Sequence, residues 1–315
     1  MHAQTHANAF WAQSTRTDGR SFSQPRTTSV VTSILKHSLG SASIQLGSTK
    51  IIAANTIEIG QPTPTAPDHG DVVVQVHRKG RNRNDDGGNR TCSTTNASYL
   101  QSWLQRQLSE FIPPYLNLLT GRATIRLIVT VLILQDDGNL MDASLLACMA
   151  AWNDTKLPVL GVDLEEQAGK LWWKKDPAKT WIRRPIKNPD ADDMQIDDKN
   201  DAETQAQAQE RQSKSELRFS LTVGIIRQHQ QHGLDDVHND DHDGDNDAAK
   251  RFLVDPTKQE MALMEGTITI TIHVPSKLTQ IEFTSPIPLD PSDFAVLSKM
   301  AEDRSNELLR VMQKS

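Results

Sequence analysis

The stretch TIRLIVTVLILQDDGNLMDASLLACMAAW, residues 124–152, changes its apolar period halfway along. Ile125, Leu127, Ile128, Val129, Val131, Leu132, Ile133 and Leu134 form a run too continuous for a half-exposed strand, which predicts a central strand covered on both faces. Asp136-Asp137-Gly138-Asn139 then has turn chemistry. Leu140 to Trp152, rich in Ala, Leu and Met, predicts a buried helix packed close by its small residues. Strand, tight turn and helix in that order belong to an α/β fold whose neighbours supply the rest of the sheet.

Those neighbours can be read on both sides. Upstream, Leu100, Leu104, Leu108 and Ile112 recur every four residues beside Trp103 and Phe111, predicting an amphipathic helix ended by Pro113-Pro114. Before it, Pro62, Pro64 and Pro67 exclude regular structure, and Val72, Val73, Val74 and Val76 then make a strand. From Thr27 to Glu58 short apolar runs, Val30-Val31, Ile34-Leu35, Ile44 with Leu46, and Ile51-Ile52, are divided by glycine turns, which predicts an antiparallel meander. Downstream, Leu217 to Ile226 and Phe252 to Val254 read as a hairpin with an enlarged tip. Gly266 to Val274 alternates Thr with Ile in a period of two, Leu278 to Phe283 follows, and Pro291 to Gln313 closes the chain as a helix. The sum is an α/β chain with a mixed, α+β type of sheet.

At 315 residues the chain can bury a large core, yet its 37% hydrophobic and 5% aromatic content is low enough that part of it is expected not to fold. Residues 1–15 read as a flexible lead-in, with Phe10 and Trp11 as anchors, and 16–315 as one domain. That domain is interrupted by two acidic inserts, at about 188–216 and 228–249. The first carries nine acidic and three basic residues, and Gly233 to Ala249 in the second carries seven acidic and none basic. Removing these −13 charges from a net −6 leaves +7, so the foldable part is mildly basic and suits a polyanion without requiring one. No run reaches the roughly 20 apolar residues of a membrane span, and Met1 to Gln13 lacks a charged, then apolar, leader pattern, so a cytoplasmic or nuclear location is expected. Two cysteines, Cys92 and Cys148, allow neither a disulfide framework nor a cysteine metal cage.

Four motifs in order now resemble one family. They are Arg16-Thr17-Asp18-Gly19-Arg20 with Arg26; Gly40-Ser41-Ala42 with Leu46-Gly47 and Thr49; Gln135 to Ala143, followed by small residues and Leu157-Pro158; and Asp255-Pro256-Thr257 with Glu260, then Gly266-Thr267. Spread over about 250 residues, they resemble the ribonuclease PH-like proteins that build the six-membered ring of the eukaryotic RNA exosome. The resemblance implies a ribonuclease PH-like fold, with the acidic inserts as two disordered loop insertions. It also implies a subunit that supports 3′-to-5′ RNA degradation and processing, including rRNA maturation, by helping to form the RNA channel. The partners it implies are other ribonuclease PH-like ring subunits, RNA-binding cap subunits and single-stranded RNA, and the locations are nucleus, nucleolus and cytoplasm.

Catalysis by such a fold needs donors that hold inorganic phosphate and carboxylates at the scissile bond. Asp255 and Glu260 could be those carboxylates, but a strand-end Asp-Pro-Thr turn accounts for Asp255 as well. The glycine-rich segment that the resemblance would place in the C-terminal half is missing, since Ser276 to Ser315 contains no glycine. The expectation is therefore a non-catalytic subunit with no catalytic, cofactor or metal residues; an active phosphate-dependent exoribonuclease and a free-standing RNA-binding module are the alternatives. Arg78, Lys79, Arg81, Arg83 and Arg90 are the candidate RNA contacts, against a plain solvated loop favoured by Asp85, Asp86 and Gly87-Gly88. Lys170 to Lys187 interleaves Trp172, Trp173 and Trp181 with seven basic residues, as a base-stacking or subunit-docking surface would. His229, His232, His238 and His242 have metal-like spacing, but they lie in a long loop with no fixed second shell, which argues against a metal. Asp142, at a helix start, reads as a cap or dipole partner.

Overall fold

The computed structural model describes residues 11, 15–61, 70–78, 97–110, 117–119, 123–155, 161–162, 171–172, 217–228, 249–274 and 277–314. In chain order its elements are β1 (Thr28–Thr32), β2 (Gly40–Leu46), β3 (Thr49–Gly60), β4 (Asp71–Arg78), α1 (Ala97–Ser109), β5 (Asn117–Leu119), β6 (Ala123–Gln135) and α2 (Leu140–Asp154). There follow β7 (Gly161–Val162), β8 (Leu171–Trp172), β9 (Arg218–Gln228), β10 (Ala249–Val254), α3 (Lys258–Met261), β11 (Gly266–His273), β12 (Lys277–Thr284) and α4 (Pro291–Lys314). The expected meander, hairpin and closing helix are all present. The hairpin tip and both acidic inserts, apart from the end residues Gln228 and Ala249, lie outside the described residues, as do Phe111 and Ile112 at the expected end of α1.

The first sheet runs β1-β2-β3-β6-β4, with β5 on β6; its pairs are antiparallel except β4 with β6, which is parallel. Register places Ile44 opposite Ile51, Ile51 opposite Ile133, and Val129 opposite Val74, so the β-branched residues of four strands share one face. Leu100, Trp103, Leu104 and Leu108 of α1 and most of α2 pack on it. Both helices cover that same face, which corrects the expectation of a doubly covered β6. Its odd positions Ile125 to Ile133 are buried, whereas Ile128, Leu132 and Leu134 are only partly covered. Ile34 and Leu35 lie in the turn between β1 and β2 and are exposed.

Burial on both faces is found instead in β9, and in β11 from Ile268 to Ile272, the two central strands of a second, antiparallel sheet ordered β10-β9-β11-β12. Leu221, Val223 and Ile225, with Ile268, Ile270 and Ile272 of β11, pack against Leu297 and Ala301 of α4. The opposite face carries Ser220, Thr222, Thr269 and Thr271, paired across β9 and β11, and Thr222 meets the start of α2. Helix α2 thus lies between the two sheets, and its small residues fit this position: a Cβ on Gly40 of β2 would come within 2.5 Å of the Ala151 carbonyl oxygen. Trp11, one of the two expected anchors, is buried beside Ile226 and Leu253; Phe10, the other, lies outside the described residues.

Candidate functional site

The site forms where the turn before α2 meets the turn after β10. Gly138 and Asn139 both have positive φ, 86° and 53°, and Asp255 has φ 52°. Gly, Asn and Asp are the residues that tolerate this left-handed region. Gly138 is also held by space, because a Cβ there would lie 2.5 Å from the Lys258 nitrogen. Two backbone turns are pressed together, and Lys258 N donates to the Asp137 carbonyl at 3.0 Å.

Charged side chains from the N-terminal segment lock this junction. Arg26 donates to Asp255 Oδ2 from its backbone N at 2.8 Å and its Nε at 2.9 Å, and to Oδ1 from Nη2 at 2.7 Å. Asn139 Nδ2 completes the shell, donating to Asp255 Oδ1 at 2.7 Å and to Asp142 Oδ2 at 2.8 Å. Arg16, fully buried, donates from Nε to Glu260 Oε1 at 2.7 Å, from Nη2 to Glu260 Oε2, and to the carbonyls of Val254 and Asp255 at 2.6 and 3.0 Å. Glu260 also accepts from Thr257 N at 2.8 Å, and Thr257 Oγ1 accepts from Glu260 N, so the pair is a capping box that starts α3. Burial alone would raise the Asp255 carboxyl, but the hydrogen bonds and charge of Arg26, with Asn139, outweigh it and hold Asp255 below the ordinary carboxylate value.

Asp142, in the first turn of α2, accepts from Thr222 N at 2.7 Å and Thr222 Oγ1 at 2.9 Å. Burial pushes its carboxyl up, and the neighbouring Asp255 adds to this, against the lowering effect of Thr222 and Asn139. Asp142, read as a cap or dipole partner, lies in the first turn of α2, and its bonds to Thr222 tie α2 to β9. Asp255 and Glu260, the two possible catalytic carboxylates, are buried among arginines rather than facing solvent.

Beside this junction opens a cleft of about 370 Å³. Its floor is Asn139, Leu140 and Met141 at the start of α2, with Met261 of α3. Its wall is one face of the second sheet, carrying Thr222, Thr267, Thr269, Glu282 and Thr284, and Tyr99 of α1 also lines it. None of these lining residues is basic. Glu282 accepts from Tyr99 Oη at 3.0 Å and Gln280 Nε2 at 2.8 Å, and pairs with Arg106. The sequence reading did not identify this cleft. Its signal was the Thr-Ile alternation of β11, whose polar side forms part of the wall.

Of the candidate RNA contacts, Arg78 ends β4 and its Nη1 lies 3.1 Å from Asp136 Oδ2. Lys79, Arg81, Arg83 and Arg90 lie outside the described residues, as do Trp173, Trp181 and the four histidines.

The fold is that of the ribonuclease PH-like proteins: residues 24–158 match the model of the 3′ exoribonuclease family, domain 1. Over nearly its whole length the chain superposes on a chain of the structure of the archaeal exosome core, with a TM-score of 0.63 at 20% identity, covering 99% of this chain and 96% of that one. A chain of the Archaeoglobus fulgidus exosome with RNA bound to the active site gives 0.65 at 21% identity, covering 98% and 96%. Rice Rrp46 gives 0.55 at 15% identity, covering 95% and 98%. In sequence, the chain is similar to exosome complex component Rrp42 of Archaeoglobus fulgidus, 30% identical over 162 residues, which are 48% of this chain and 59% of that protein. The same component of Pyrobaculum aerophilum is 31% identical over 156 residues, 49% of this chain and 55% of that protein. These matches thus span little more than half the length of the relatives.

Proposed function

We propose that the chain is a non-catalytic subunit of a ribonuclease PH-like exosome ring, one that supports 3′-to-5′ RNA degradation and processing, rRNA maturation included, by helping to enclose the RNA path. The observation that carries the reading is the cleft at the start of α2. It has the size of a ligand site but no basic lining residue among those described, and the nearby carboxylates Asp255 and Glu260 are closed in by Arg26 and Arg16. Phosphorolysis needs positive charge or free backbone donors for phosphate and for the charge that develops in the transition state. The likeness to Rrp42 and to chains of exosome cores supports membership of the ring.

On this reading the partners are other ribonuclease PH-like ring subunits, RNA-binding cap subunits and single-stranded RNA, found in nucleus, nucleolus and cytoplasm. Arg78, Lys79, Arg81, Arg83 and Arg90 are the residues assigned RNA contact on this reading. Arg78 is 19% exposed and paired with Asp136, so its contact to a phosphate would share the guanidinium. Within the ring, Ala66-Pro67-Asp68 with Gly70, followed by Val72-Val73-Val74, fits the position of ribosomal RNA-processing protein 43, also called exosome component 8.

Affinity purification of the tagged protein with mass spectrometry, and a phosphate-dependent RNA decay assay on the purified chain alone, test this directly. Several co-purifying ring subunits with no decay by the lone chain is the expected result. Release of nucleoside diphosphates by the lone chain, abolished by Asp255→Asn in a variant that still folds, would make it an active phosphorolytic exoribonuclease instead.

A further inference from the structure

We infer that the turn joining β1 to β2, residues 33–39, is a docking knob for a partner protein: Ile34 and Leu35, with Val31 beside them, seat in an apolar pocket rimmed by carboxylates. This surface is separate from the cleft and from the arginines assigned RNA contact. The turn is tied to Asp154 at the end of α2, whereas Arg78 pairs with Asp136 just before α2, the length of that helix, about 20 Å, away.

Apolar side chains are concentrated here. Val31, Ile34 and Leu35 are 57%, 37% and 44% exposed, three large aliphatic residues within five positions. Single exposed leucines are ordinary on a protein surface, but a contiguous group marks a place that another surface covers.

The turn is also built to keep its shape. Ser33 has φ 55°, a left-handed conformation that serine, unlike glycine or asparagine, adopts at a cost. Asp154 holds it there: Oδ2 accepts from the backbone N of Ser33 at 3.1 Å and of Ser41 at 2.9 Å, and Oδ1 accepts from Ser33 Oγ at 2.5 Å. Leu35 N donates to Ser41 Oγ at 2.8 Å, and the Leu35 carbonyl accepts from Ser38 Oγ at 2.8 Å. A turn so pinned presents Ile34 and Leu35 with little ordering left to lose on binding, as an interface anchor requires.

Charge selects the occupant. Lys36 and His37 follow the apolar pair and are exposed, and Asp154, the carboxylate of this turn, spends both oxygens on Ser33 and Ser41. The knob is therefore apolar with a basic flank, which an apolar pocket with an acidic rim complements. RNA is bound through several cations and stacked bases, and this turn has one lysine and no Phe, Tyr or Trp. A lipid surface is engaged by clusters of about four or more lysines and arginines.

The test places p-benzoylphenylalanine at Leu35 in the full chain, in its own cells, and maps the peptide crosslinked on illumination. A protein adduct at an apolar pocket flanked by Asp or Glu is the expected result. With that partner purified, Leu35→Asp should weaken binding about tenfold or more and Lys36→Glu several-fold, the second effect shrinking as salt is raised. Both variants should keep the melting midpoint of the native chain, because both side chains are exposed. Crosslinks to RNA, to lipid or to a second copy of this chain, an adduct on a surface without acidic residues, no adduct at all, or unchanged binding by Leu35→Asp or Lys36→Glu would each overturn the assignment. A chain that co-purifies with ring subunits but gives no adduct at Leu35 refutes this surface alone. An adduct that needs Leu35 and Lys36, in a chain that co-purifies with no ring subunit, refutes the proposed function alone.

Discussion

At the scale of single residues, the junction between the two turns rests on Arg26 and Arg16. Removing one partner of a buried ion pair leaves the other charge uncompensated, so Arg26→Met is expected to destabilise the chain by about 3–5 kcal/mol, read from urea unfolding. Replacing Arg16 and Glu260 together with methionines should cost less than Arg16→Met alone, because the double change leaves no orphaned charge. The pH dependence has a definite sign. Asp255 titrates below its ordinary value, so its contribution is present above about pH 4 and is lost as pH falls through the lowered value. Asp142 titrates above its ordinary value, so its contribution is full at low pH and fades as pH rises through the raised value. The stability gap between the native chain and Asp255→Asn should therefore narrow between pH 7 and pH 3. Cys148 is buried and its thiol is pushed up to about 12 by burial, so alkylation mapped to it by mass spectrometry should keep pace with unfolding and not with reagent concentration in the folded state.

At the scale of elements, the strand-turn-helix unit was legible because each part carries its own signal. The Asp-Asp-Gly-Asn turn and the small-residue helix appear as read, and Gly138 holds its place for both conformation and space. Gly138→Ala should cost more than about 1 kcal/mol, since alanine resists positive φ and its Cβ would press on α3. A thermal melt of that variant checks it. The coverage of β6 was misread for a definite reason. An unbroken apolar run states that a strand is apolar on both faces and is silent on where the helices lie; here α1 and α2 share one face. The converse holds for β9, whose Arg218, Ser220 and Thr222 give it a half-polar face, yet it is buried on both sides. On that buried polar face Asp142 satisfies both the backbone and side-chain donors of Thr222.

At the scale of the whole molecule, the sequence by itself determined the order of elements, their types and the family likeness, because periodicity and turn chemistry act over a few residues. It also located Asp255, Glu260, Asp142 and the arginines, which recur at motif spacing. Only the tertiary structure decided what those groups do. Arg16 and Glu260 are 244 positions apart, and Arg26 and Asp255 229, so whether each carboxylate meets solvent or a guanidinium depends on how β10 returns to the N-terminal segment. The cleft was likewise beyond local reading. Its residues come from α1, α2, β9, α3, β11 and β12, each ordinary in its own stretch, and their shared lack of positive charge exists only once the two sheets close around α2.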